Sequence, residues 1–229
     1  MKTVVVIPAF NEGRSIGLVV GDIPRHLVDE IVVVNNASTD ETERNAKAAG
    51  ATVLREQRKG YGWACLKGIE YAVEQDYDIV VFLDGDYSDF PDELNLLVEP
   101  ITSGRAVFTL GSRMIGEREA GAMLPQALFG NRLACFLMKV FWNSTFTDLG
   151  PFRAISMDTL KSLNMSDKTY GWTVEMQIKI LQRQLPYEEV AVSYRKRVGV
   201  SKITGTVSGT VKASGKILSL LFRYGLLGR

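Results

Sequence analysis

The sequence contains very few of the side chains on which many enzymes depend. Its 229 residues include one histidine, His26, and two cysteines, Cys65 and Cys135. Because His26 lies in a loop-like stretch, histidine-containing catalytic triads and histidine metal sites are nearly excluded. Both cysteines lie in apolar helical patterns, which favours buried free thiols in a reducing cytosol. We therefore expect the chemistry to depend on carboxylates, basic side chains and backbone amides.

Long hydrophobic runs and C-terminal acidic residues are also absent. No run of about 18 uninterrupted apolar residues occurs, so no transmembrane helix is expected. The N-terminus enters a predicted strand without a signal-peptide pattern, which favours a cytoplasmic protein. Residues 190–229 contain eight Lys or Arg and no Asp or Glu. Because the formal net charge of the whole chain is +1, residues 1–189 carry a net charge of −7. This basic tail predicts a phosphate-rich partner or an anionic surface, such as the inner membrane face.

The stretch Val80–Asp86 organises the rest of the chain. Consecutive apolar residues predict a buried central strand that ends in Asp84-Gly85-Asp86. At the carboxyl edge of a parallel sheet these two carboxylates would repel each other, and a divalent Mg2+ or Mn2+ would relieve that repulsion. The alternative is an ordinary Asp-Gly-Asp turn without a ligand.

Strands alternate with helices over roughly the first 110 residues. This alternation predicts an α/β fold with a Rossmann-like, mostly parallel central sheet flanked by helices. The expected strands are 3–7, 30–34, 51–54, 80–83 and 105–110. Beyond them we expect a loop over 114–123, a long helix over 125–142, a helix from Gly171 and a half-exposed strand over 190–194.

Four polar loops follow apolar strands of this predicted sheet. They are Pro8–Glu12, Asn35–Asp40, Lys59–Gly62 and Asp84–Asp86. On a parallel sheet such loops converge on one edge, where open α/β folds bind ligands. Amides and carboxylates there suit a base and a ribose, while Lys59 and the glycine amides near a helix N-terminus suit a diphosphate.

Six motifs occur in the order found in the family-2 inverting glycosyltransferases, which the sequence resembles. They are Pro8-Ala9-Phe10-Asn11-Glu12, Asn35–Asp40, Asp84-Gly85-Asp86, Gly111-Ser112-Arg113, Asp148–Arg153 and Arg197–Lys202. The last two look like the branch that contains dolichyl-phosphate mannose synthase and the bacterial polyprenyl-phosphate glycosyltransferases. The resemblance implies a GT-A fold and a metal-dependent transfer of a sugar from a nucleotide-diphosphate-sugar. It implies one domain with a nucleotide-sugar-binding half (1–111), an acceptor-side half (112–204) and a C-terminal amphipathic helix (205–229).

The resemblance also implies roles for individual residues. Asp84 would back the donor sugar or the metal, and Asp86 would ligate the metal. Asn35 stands where the family usually has an aspartate that contacts the base. Further donor contacts would come from Pro8, Ala9, Asn11, Glu12, Asn36, Lys59, Gly60, Gly62 and Gly85. Phosphate-binding groups would be Arg113, Arg153, Arg195, Ser201 and Lys202.

The acceptor decides whether a base is needed. A polyprenyl phosphate, the acceptor we prefer, is already ionised, whereas a soluble or glycan hydroxyl must lose a proton to a carboxylate. Asp148 and Glu175 are the candidate bases, with Asp148 first because the corresponding family loop lies beside the acceptor. Glu175 is equally well a solvated helix residue. Two rivals from other classes are a nucleotidyltransferase and a catalytically idle nucleotide-sugar-binding module; no nucleic-acid partner is expected.

Two other positions have two readings each. Trp172 either stacks on a sugar or packs in the core. Asp89 either assists the metal or caps the helix at Pro91.

The tail has an amphipathic helical pattern between Thr206 and Tyr224. Apolar residues share one face: Val207, Val211, Leu218, Leu221 and Phe222. The opposite stripe consists of Lys212, Lys216, Ser219 and Arg223. The pattern predicts either a helix packed on the domain or an interfacial helix on anionic lipid.

Overall fold

One sheet organises the structure, a computed structural model that describes residues 1–199 and 207–228. Within those residues the sheet has seven strands in the order β3-β2-β1-β4-β6-β5-β7. The strands are β1 Thr3–Ala9, β2 Glu30–Asn35, β3 Thr52–Arg55, β4 Ile79–Phe82, β5 Phe108–Ser112, β6 Arg153–Ser156 and β7 Tyr187–Ala191. Strand β6 runs antiparallel to β4 and β5, and every other pair is parallel. The predicted mostly parallel α/β sheet is confirmed.

Helices cover both faces of the sheet. They are α1 Ile16–Asp22, α2 Thr42–Ala48, α3 Tyr61–Glu74, α4 Leu94–Thr102, α5 Pro125–Trp142, α6 Met157–Leu163, α7 Trp172–Gln182 and α8 Val207–Leu227. A 3-10 turn over Pro91–Glu93 leads into α4. Successive strand residues point to opposite faces, so Val4 and Val6 pack with α3, α5, α7 and α8, while Val5 and Ile7 pack with α1 and α4. This double burial explains why β1 and β4 are uninterrupted apolar runs.

Strands β1 to β4 differ from the prediction by one or two residues at their ends, and the larger differences concern two strands and one helix. Strand β5 begins at Phe108 because the amides of Arg105 and Ala106 donate to Pro100 O at the end of α4. Strand β7 lies at Tyr187–Ala191, earlier than the expected 190–194, because its parallel pairing with β5 begins with Phe108 opposite Tyr187. The seven-residue helix α6 was not predicted.

Helix α8 exists, but its buried face is not the predicted one. Ala213, Leu220 and Leu221 are buried, whereas Val211 is 65% exposed and Phe222 is 44% exposed. The prediction that Val211 and Phe222 belong to the packed face is therefore wrong, because the helix has two apolar stripes and only one contacts the core. The side chain of Val207 lies outside the described part of the chain.

The two cysteines and the hydrophobicity of the helices can be compared with the sequence prediction. Cys65 and Cys135 are buried free thiols, as expected. Among the described helices, none combines the length and the apolarity needed to cross a membrane.

Both predicted halves contribute to the one sheet. Strand β6, from the predicted acceptor-side half, lies between β4 and β5 of the first half. The antiparallel pairing of Phe82 with Arg153 brings the segment that precedes β6 next to the carboxyl end of β4. The topology therefore places the Asp148–Arg153 segment beside Asp84 and Asp86.

Candidate active site

A cavity of about 400 Å³ opens at the carboxyl edge of the sheet, beside the ends of β1, β2 and β4. It is lined by Pro8, Ala9, Phe10, Glu12, Asn36, Lys59, Gly60, Tyr61, Ala64, Asp84, Gly85, Asp86, Thr169, Tyr170 and Arg197. We call it the donor-side cavity. Nine of the residues predicted to contact the donor or its phosphates line it, whereas Asn11, Asn35, Gly62, Arg113, Arg153 and Arg195 do not.

Two aspartates lie on the floor of this cavity. The Tyr61 hydroxyl donates a hydrogen bond of 3.1 Å to Asp84 Oδ1. The Ser88 amide donates one of 2.9 Å to Asp86 Oδ1. Burial, followed by the charge of Asp86, raises the pKa of Asp84 to about 7. The pair therefore concentrates negative charge in a site where burial disfavours the ionised form of Asp84.

Asp89 adds a third carboxylate behind the first two. Both of its oxygens are buried without a hydrogen-bond partner. Burial, followed by Asp84 and Asp86, raises the pKa of Asp89 well above its ordinary value. The alternative that Asp89 caps the helix at Pro91 is wrong, because the residue at the cap of that turn is Phe90 and no side chain caps it.

Arg197 is the cation nearest to the aspartates. Its Nη1 lies 3.0 Å from Asp86 Oδ2, and its Nη2 lies 3.4 Å from Glu12 Oε1. The guanidinium thereby connects the loop after β1 with the loop after β4. The Arg197 charge acts on the pKa of Asp84 in the opposite direction to burial and lowers it.

The residues present fit a divalent cation. The half-buried Asp84 and the buried Asp86 repel each other, and the unpartnered Asp89 lies behind them, which forms an environment that a hard cation neutralises. Within residues 1–199 and 207–228, no three acidic, histidine or cysteine side chains are arranged to enclose a metal by themselves. Asp84 and Asp86 would therefore share the ion with phosphate oxygens of a bound substrate, as Mg2+ sites commonly do.

The loop before α3 is held in place by Asn36. Asn36 Oδ1 accepts the Gly60 amide at 2.8 Å, and its Nδ2 donates to Arg58 O at 2.8 Å. A Cβ at Gly60 would lie 2.3 Å from Lys168 O, so a glycine is needed where the two loops meet. Lys59, beside this glycine, lines the cavity.

The phosphate site predicted at Lys59–Gly62 includes fewer residues than expected, because Gly62 does not line the donor-side cavity. The Trp63 amide in the first turn of α3 donates to Lys168 O. Gly62 lies against Asp167 O, which a Cβ would approach to 2.2 Å, and it does not line the cavity. The loop between α6 and α7 therefore covers part of the helix end that we expected to face a phosphate.

Asn11 and Asn35 join loops and do not line the donor-side cavity. Asn11 Oδ1 accepts the Thr39 amide at 2.8 Å. Asn35 Oδ1 accepts the Ser38 amide at 3.0 Å, and its Nδ2 donates to Glu43 Oε2 at 3.1 Å. In this structure both side chains therefore support the loop after β2, which in turn borders the cavity.

A second cavity of about 790 Å³, which we call the acceptor-side cavity, joins the first. Tyr61, Asp84, Tyr170 and Arg197 line both. Helix α5 and its approach contribute Met123, Leu124, Gln126, Ala127, Phe129, Gly130, Asn131, Leu133 and Ala134, and α8 contributes Thr210, Ala213, Ser214, Ile217 and Leu218. The wall built by these two helices is largely apolar. Arg113, Tyr194 and Lys196 add polar groups, and the Arg113 charge acts on the pKa of Asp84.

Asp148 is paired with Arg113 and lies outside both cavities. Arg113 Nε and Nη2 donate to the two carboxylate oxygens at 2.7 and 2.8 Å, and the Arg113 amide donates at 2.9 Å. Although burial alone would raise the pKa of Asp148, Arg113 brings it below its ordinary value. A fully hydrogen-bonded carboxylate with a low pKa is a poor proton acceptor. Its geometry fits a residue that orients Arg113.

Arg153 is an interior residue. Its guanidinium donates to Thr173 O at 2.8 Å and to Gly150 O, and burial lowers its pKa to about 10. It lines neither cavity. The predicted phosphate contact is replaced by hydrogen bonds that hold the loop before β6.

Glu175 is also occupied away from the cavities. Its carboxylate accepts the amides of Ser166 and Asp167 and lies 2.8 Å from Lys179 Nζ. It is buried, so the alternative of a solvated helix residue is wrong. These bonds hold the start of the loop between α6 and α7.

Trp172 belongs to the core. Its ring is fully buried and packs edge-on against Phe82, with ring centroids 4.6 Å apart. The reading in which it stacks on a sugar does not fit this position.

Arg195 was predicted to bind phosphate, but Arg197 is the one of the two that lines the cavities. Arg195 Nε donates to Tyr87 O at 2.8 Å, and its guanidinium lies over the Tyr87 ring, outside both cavities. Arg197, two residues on, lines both. Its place in the motif Arg197–Lys202 could have identified it. Ser201 and Lys202 lie outside the described residues.

Sequence reasoning also missed the aromatic residues of the site. Tyr61, Tyr170 and Tyr194 line the cavities. Tyr61 follows directly on Lys59-Gly60, so its place at the start of α3 was a usable signal. Tyr170 and Tyr194 lie in connections with no distinctive pattern.

The fold and the arrangement of this edge define a class of protein before any relative is considered. A mostly parallel sheet carries two carboxylates after its central strand, within a polar cavity that opens into an apolar one. This is the plan of a sugar-nucleotide-dependent transferase of the GT-A type.

The chain belongs to glycosyltransferase family 2. The profile described as Glycosyl transferase family 2 matches residues 4–163, which is more than half of the chain. The resemblance deduced from the six motifs is confirmed, and the chain is a glycosyltransferase.

Two curated relatives cover most of the chain. The undecaprenyl-phosphate mannosyltransferase of Micrococcus luteus is 28% identical over 91% of this chain and 90% of its own length. The UDP-N-acetylglucosamine–dolichyl-phosphate N-acetylglucosaminyltransferase of Methanococcus voltae is 27% identical over 82% of this chain and 83% of its own. Both names place these relatives in the polyprenyl-phosphate branch.

A solved structure confirms the fold. The glucosyl-3-phosphoglycerate synthase of Mycobacterium tuberculosis, in complex with Mn2+, UDP and glucosyl-3-phosphoglycerate, superposes with a TM-score of 0.80. It is 24% identical, and the match covers 98% of this chain and 80% of that one. At this identity the likeness concerns the fold.

Proposed function

We propose that the chain transfers a sugar, with inversion, from a nucleotide-diphosphate-sugar to a polyprenyl phosphate at a cytosolic membrane surface. The observation that carries this proposal is the pair of joined cavities. A polar one and a largely apolar one share Asp84 and Arg197. A donor with a charged diphosphate suits the first, and a hydrocarbon chain with a phosphate head suits the second.

The donor-side cavity suits a nucleotide sugar. Lys59 and Arg197 supply cations for a diphosphate, and Pro8 with Ala9 supplies an apolar surface for a base. Asn36 lines the same space and fixes the loop that carries Lys59.

Asp84 and Asp86 would hold a divalent cation in this cavity. When bound, Mg2+ or Mn2+ supplies positive charge against the departing nucleoside diphosphate. Arg197 already neutralises Asp86 from the other side at 3.0 Å. Fixed positive groups around a leaving group stabilise the charge that develops on it.

The apolar wall of the acceptor-side cavity favours a lipid acceptor. Helices α5 and α8 contribute mainly apolar groups, while Arg113 and Arg197 lie at the part of the lining nearest to the aspartates. Arg113 is held by two bonds to Asp148 and would present its remaining donors to an acceptor phosphate. The names of the curated relatives, which act on undecaprenyl phosphate and dolichyl phosphate, support the same choice.

The positions of the two predicted bases also favour an acceptor that is already ionised. A phosphate oxygen attacks the anomeric carbon without losing a proton, so no base is required. Among the predicted bases, Asp148 and Glu175 are fully hydrogen-bonded outside the cavities. A hydroxyl acceptor would lack an obvious proton acceptor among the predicted ones.

The direct test is a transfer assay with the full chain, Mn2+ or Mg2+, a panel of nucleotide sugars and three acceptors. The acceptors are a water-soluble short-chain prenyl phosphate, the matching prenyl alcohol and a free monosaccharide. We expect transfer to the phosphate alone, with inverted anomeric configuration by NMR. Transfer to the alcohol or the sugar, without the phosphate, would contradict the proposed acceptor.

Gly130 allows the acceptor-side cavity to be tested separately. It lines the cavity on α5, and a Cβ there would meet nothing within 4 Å. Gly130→Leu should raise the KM for a long-chain prenyl phosphate at least about tenfold, equivalent to about 1.4 kcal/mol, because it fills the cavity. Gly130→Ala is the matched control, since both variants gain helix propensity but only the leucine is bulky. An equal KM for both variants would contradict the assignment of this cavity to the acceptor.

A further inference from the structure

We propose that one face of α5 and α8 docks the enzyme on an anionic phospholipid surface, with apolar anchors supplied mainly by α5. This inference rests on the proposed function, because it locates the membrane from which a lipid acceptor would be taken. The surface, which we call the α5–α8 face, consists of Phe129, Arg132, Phe136, Lys139 and Val140 of α5 and Val211, Lys212, Phe222, Arg223 and Leu226 of α8.

The α5 part of the face has large apolar side chains in solvent. Phe129 is 70% exposed, and Phe136 and Val140 are each 60% exposed. Their positions, together with Arg132, follow each other at spacings of three and four and therefore form one stripe along the helix. The opposite stripe, which includes Ala134 and Met138, is buried in the core. Helix α5 is thus apolar on both sides, although among the described residues only one side is buried against the rest of the chain.

Helix α8 continues this surface. Leu226 is 69% exposed, and Phe222 and Val211 share its solvent-facing side. The Phe222 ring lies edge-on to Phe141 of α5, with ring centroids 5.9 Å apart. The two exposed stripes therefore adjoin at this contact.

The charges on these two helices have one sign. Neither Pro125–Trp142 nor Val207–Leu227 contains an Asp or a Glu, and together they contain Arg132, Lys139, Lys212, Lys216 and Arg223. Lys216 is paired with Asp167 at 2.7 Å. The whole chain has 27 basic and 26 acidic residues, so the excess of basic residues on these two helices is local. Exposed apolar groups bordered by basic ones match the boundary between anionic headgroups and acyl chains.

The acceptor-side cavity leads to the same two helices. Phe129 belongs both to the α5–α8 face and to the lining of that cavity. Ala127 and Leu133 of α5 line that cavity together with Ile217 and Leu218 of α8. A lipid phosphate could therefore pass from a docked surface towards Asp84 between the two helices.

The test is flotation of the full chain with phosphatidylcholine vesicles that contain or lack phosphatidylglycerol, without any polyprenyl phosphate. We expect binding to the anionic vesicles only. Phe136→Ser/Val140→Ser/Leu226→Ser and, separately, Arg132→Glu/Lys139→Glu should each weaken binding at least about tenfold. None of these five residues lines either cavity.

Matched controls lie on other helices. Leu18→Ser/Leu96→Ser changes two exposed leucines of α1 and α4, on the opposite face of the sheet, and Arg44→Glu/Lys161→Glu reverses two charges of α2 and α6. Both controls should bind like the unaltered chain. Absence of binding to anionic vesicles, or equal loss in the controls, would overturn the inference. So would a dimer in sedimentation that the α5–α8 variants dissociate while no vesicle binding occurs.

The outcome is separable from that of the proposed function. Transfer to a short-chain prenyl phosphate in solution needs no vesicle, so its success with a chain that does not float would overturn only the docking face. Flotation that depends on the α5–α8 face, without transfer to any prenyl phosphate, would overturn only the proposed acceptor.

Discussion

The two cavities are built in different ways, although they share Asp84. The donor-side cavity is lined by loops that directly follow strands of the sheet, such as Pro8–Glu12 and Asp84–Asp86. The acceptor-side cavity is lined largely by side chains of α5 and α8, which are far apart in the chain. The first cavity takes its shape from the sheet edge, whereas the second exists only because two helices pack side by side. The polar groups that would bind the donor are therefore positioned by the sheet, and the apolar groups that would bind the acceptor are positioned by the packing of α5 against α8.

The largest effect is expected from a change at the proposed metal site, which should impair donor binding and turnover but not membrane docking. Asp86→Asn should reduce turnover about 10³-fold, equivalent to about 4 kcal/mol, because the carboxylate that would ligate the cation is lost. The dependence of donor affinity on Mn2+, measured by isothermal titration calorimetry, should disappear. Binding to anionic vesicles should stay unchanged, since the α5–α8 face is remote from this carboxylate.

Asp92→Asn is the control for this change, because Asp92 is an exposed acidic residue of the nearby 3-10 turn. It should leave both measurements unaltered. Donor affinity that still depends on Mn2+ in Asp86→Asn would contradict the metal assignment.

The next effect concerns the buried pair of Arg113 and Asp148 beside the acceptor-side cavity. Asp148→Asn should lower the free energy of unfolding by about 3 kcal/mol, because it leaves the Arg113 guanidinium without its buried counter-charge. Urea denaturation measures this change. The pH profile of kcat should keep its shape, since a residue that only orients Arg113 does not titrate in the reaction.

Glu119→Gln provides the comparison for Asp148→Asn. Its partner Lys196 lies 3.1 Å away on the surface, where solvent screens the pair, so the stability should change little. An unchanged stability of Asp148→Asn together with a shifted acid limb of kcat would favour the role of Asp148 as a base and hence a hydroxyl acceptor.

The smallest effect is a pH dependence of stability in the metal-free chain. The pKa of Asp84 is about 7 in the folded chain and near 3.8 in the unfolded one. Between these values the folded chain binds the additional proton, so the contribution of Asp84 to stability is greatest below the unfolded pKa and is lost as pH rises to 7. The thermal midpoint of the unaltered chain in chelator should therefore fall more steeply over this range than that of Asp84→Asn. Parallel curves for the two proteins would show that Asp84 titrates normally.

Most of the donor side could be predicted from the sequence. A buried strand that ends in two carboxylates, and glycines before a helix, are local signals whose meaning does not depend on distant residues. The mostly parallel sheet and the convergence of the loops after β1, β2 and β4 follow from such signals, whereas the roles of residues such as Pro8 and Ala9 were implied by the resemblance to the family. The exceptions are side chains such as Asn35, which have the expected chemistry but are engaged by neighbouring loops.

The acceptor side was harder to predict from the sequence, because its decisive features are contacts between segments that are far apart in the chain. Asp148, Arg153 and Glu175 have polar side chains that suit catalysis, but their hydrogen-bond partners, spread from Arg113 to Lys179, show that they hold loops. Arg197 and Arg195 differ in role because only one of them turns towards Asp86. No local pattern distinguishes such neighbours.

By itself, the sequence determined the family, the sheet and the pair of aspartates at its edge. Backbone periodicity and strand order place those residues independently of how the remaining helices pack. The tertiary structure decided which charges are neutralised, which stripe of α8 is buried and where an apolar cavity opens. These depend on burial and on contacts between remote helices, and burial is a property of the packed chain and not of any single segment.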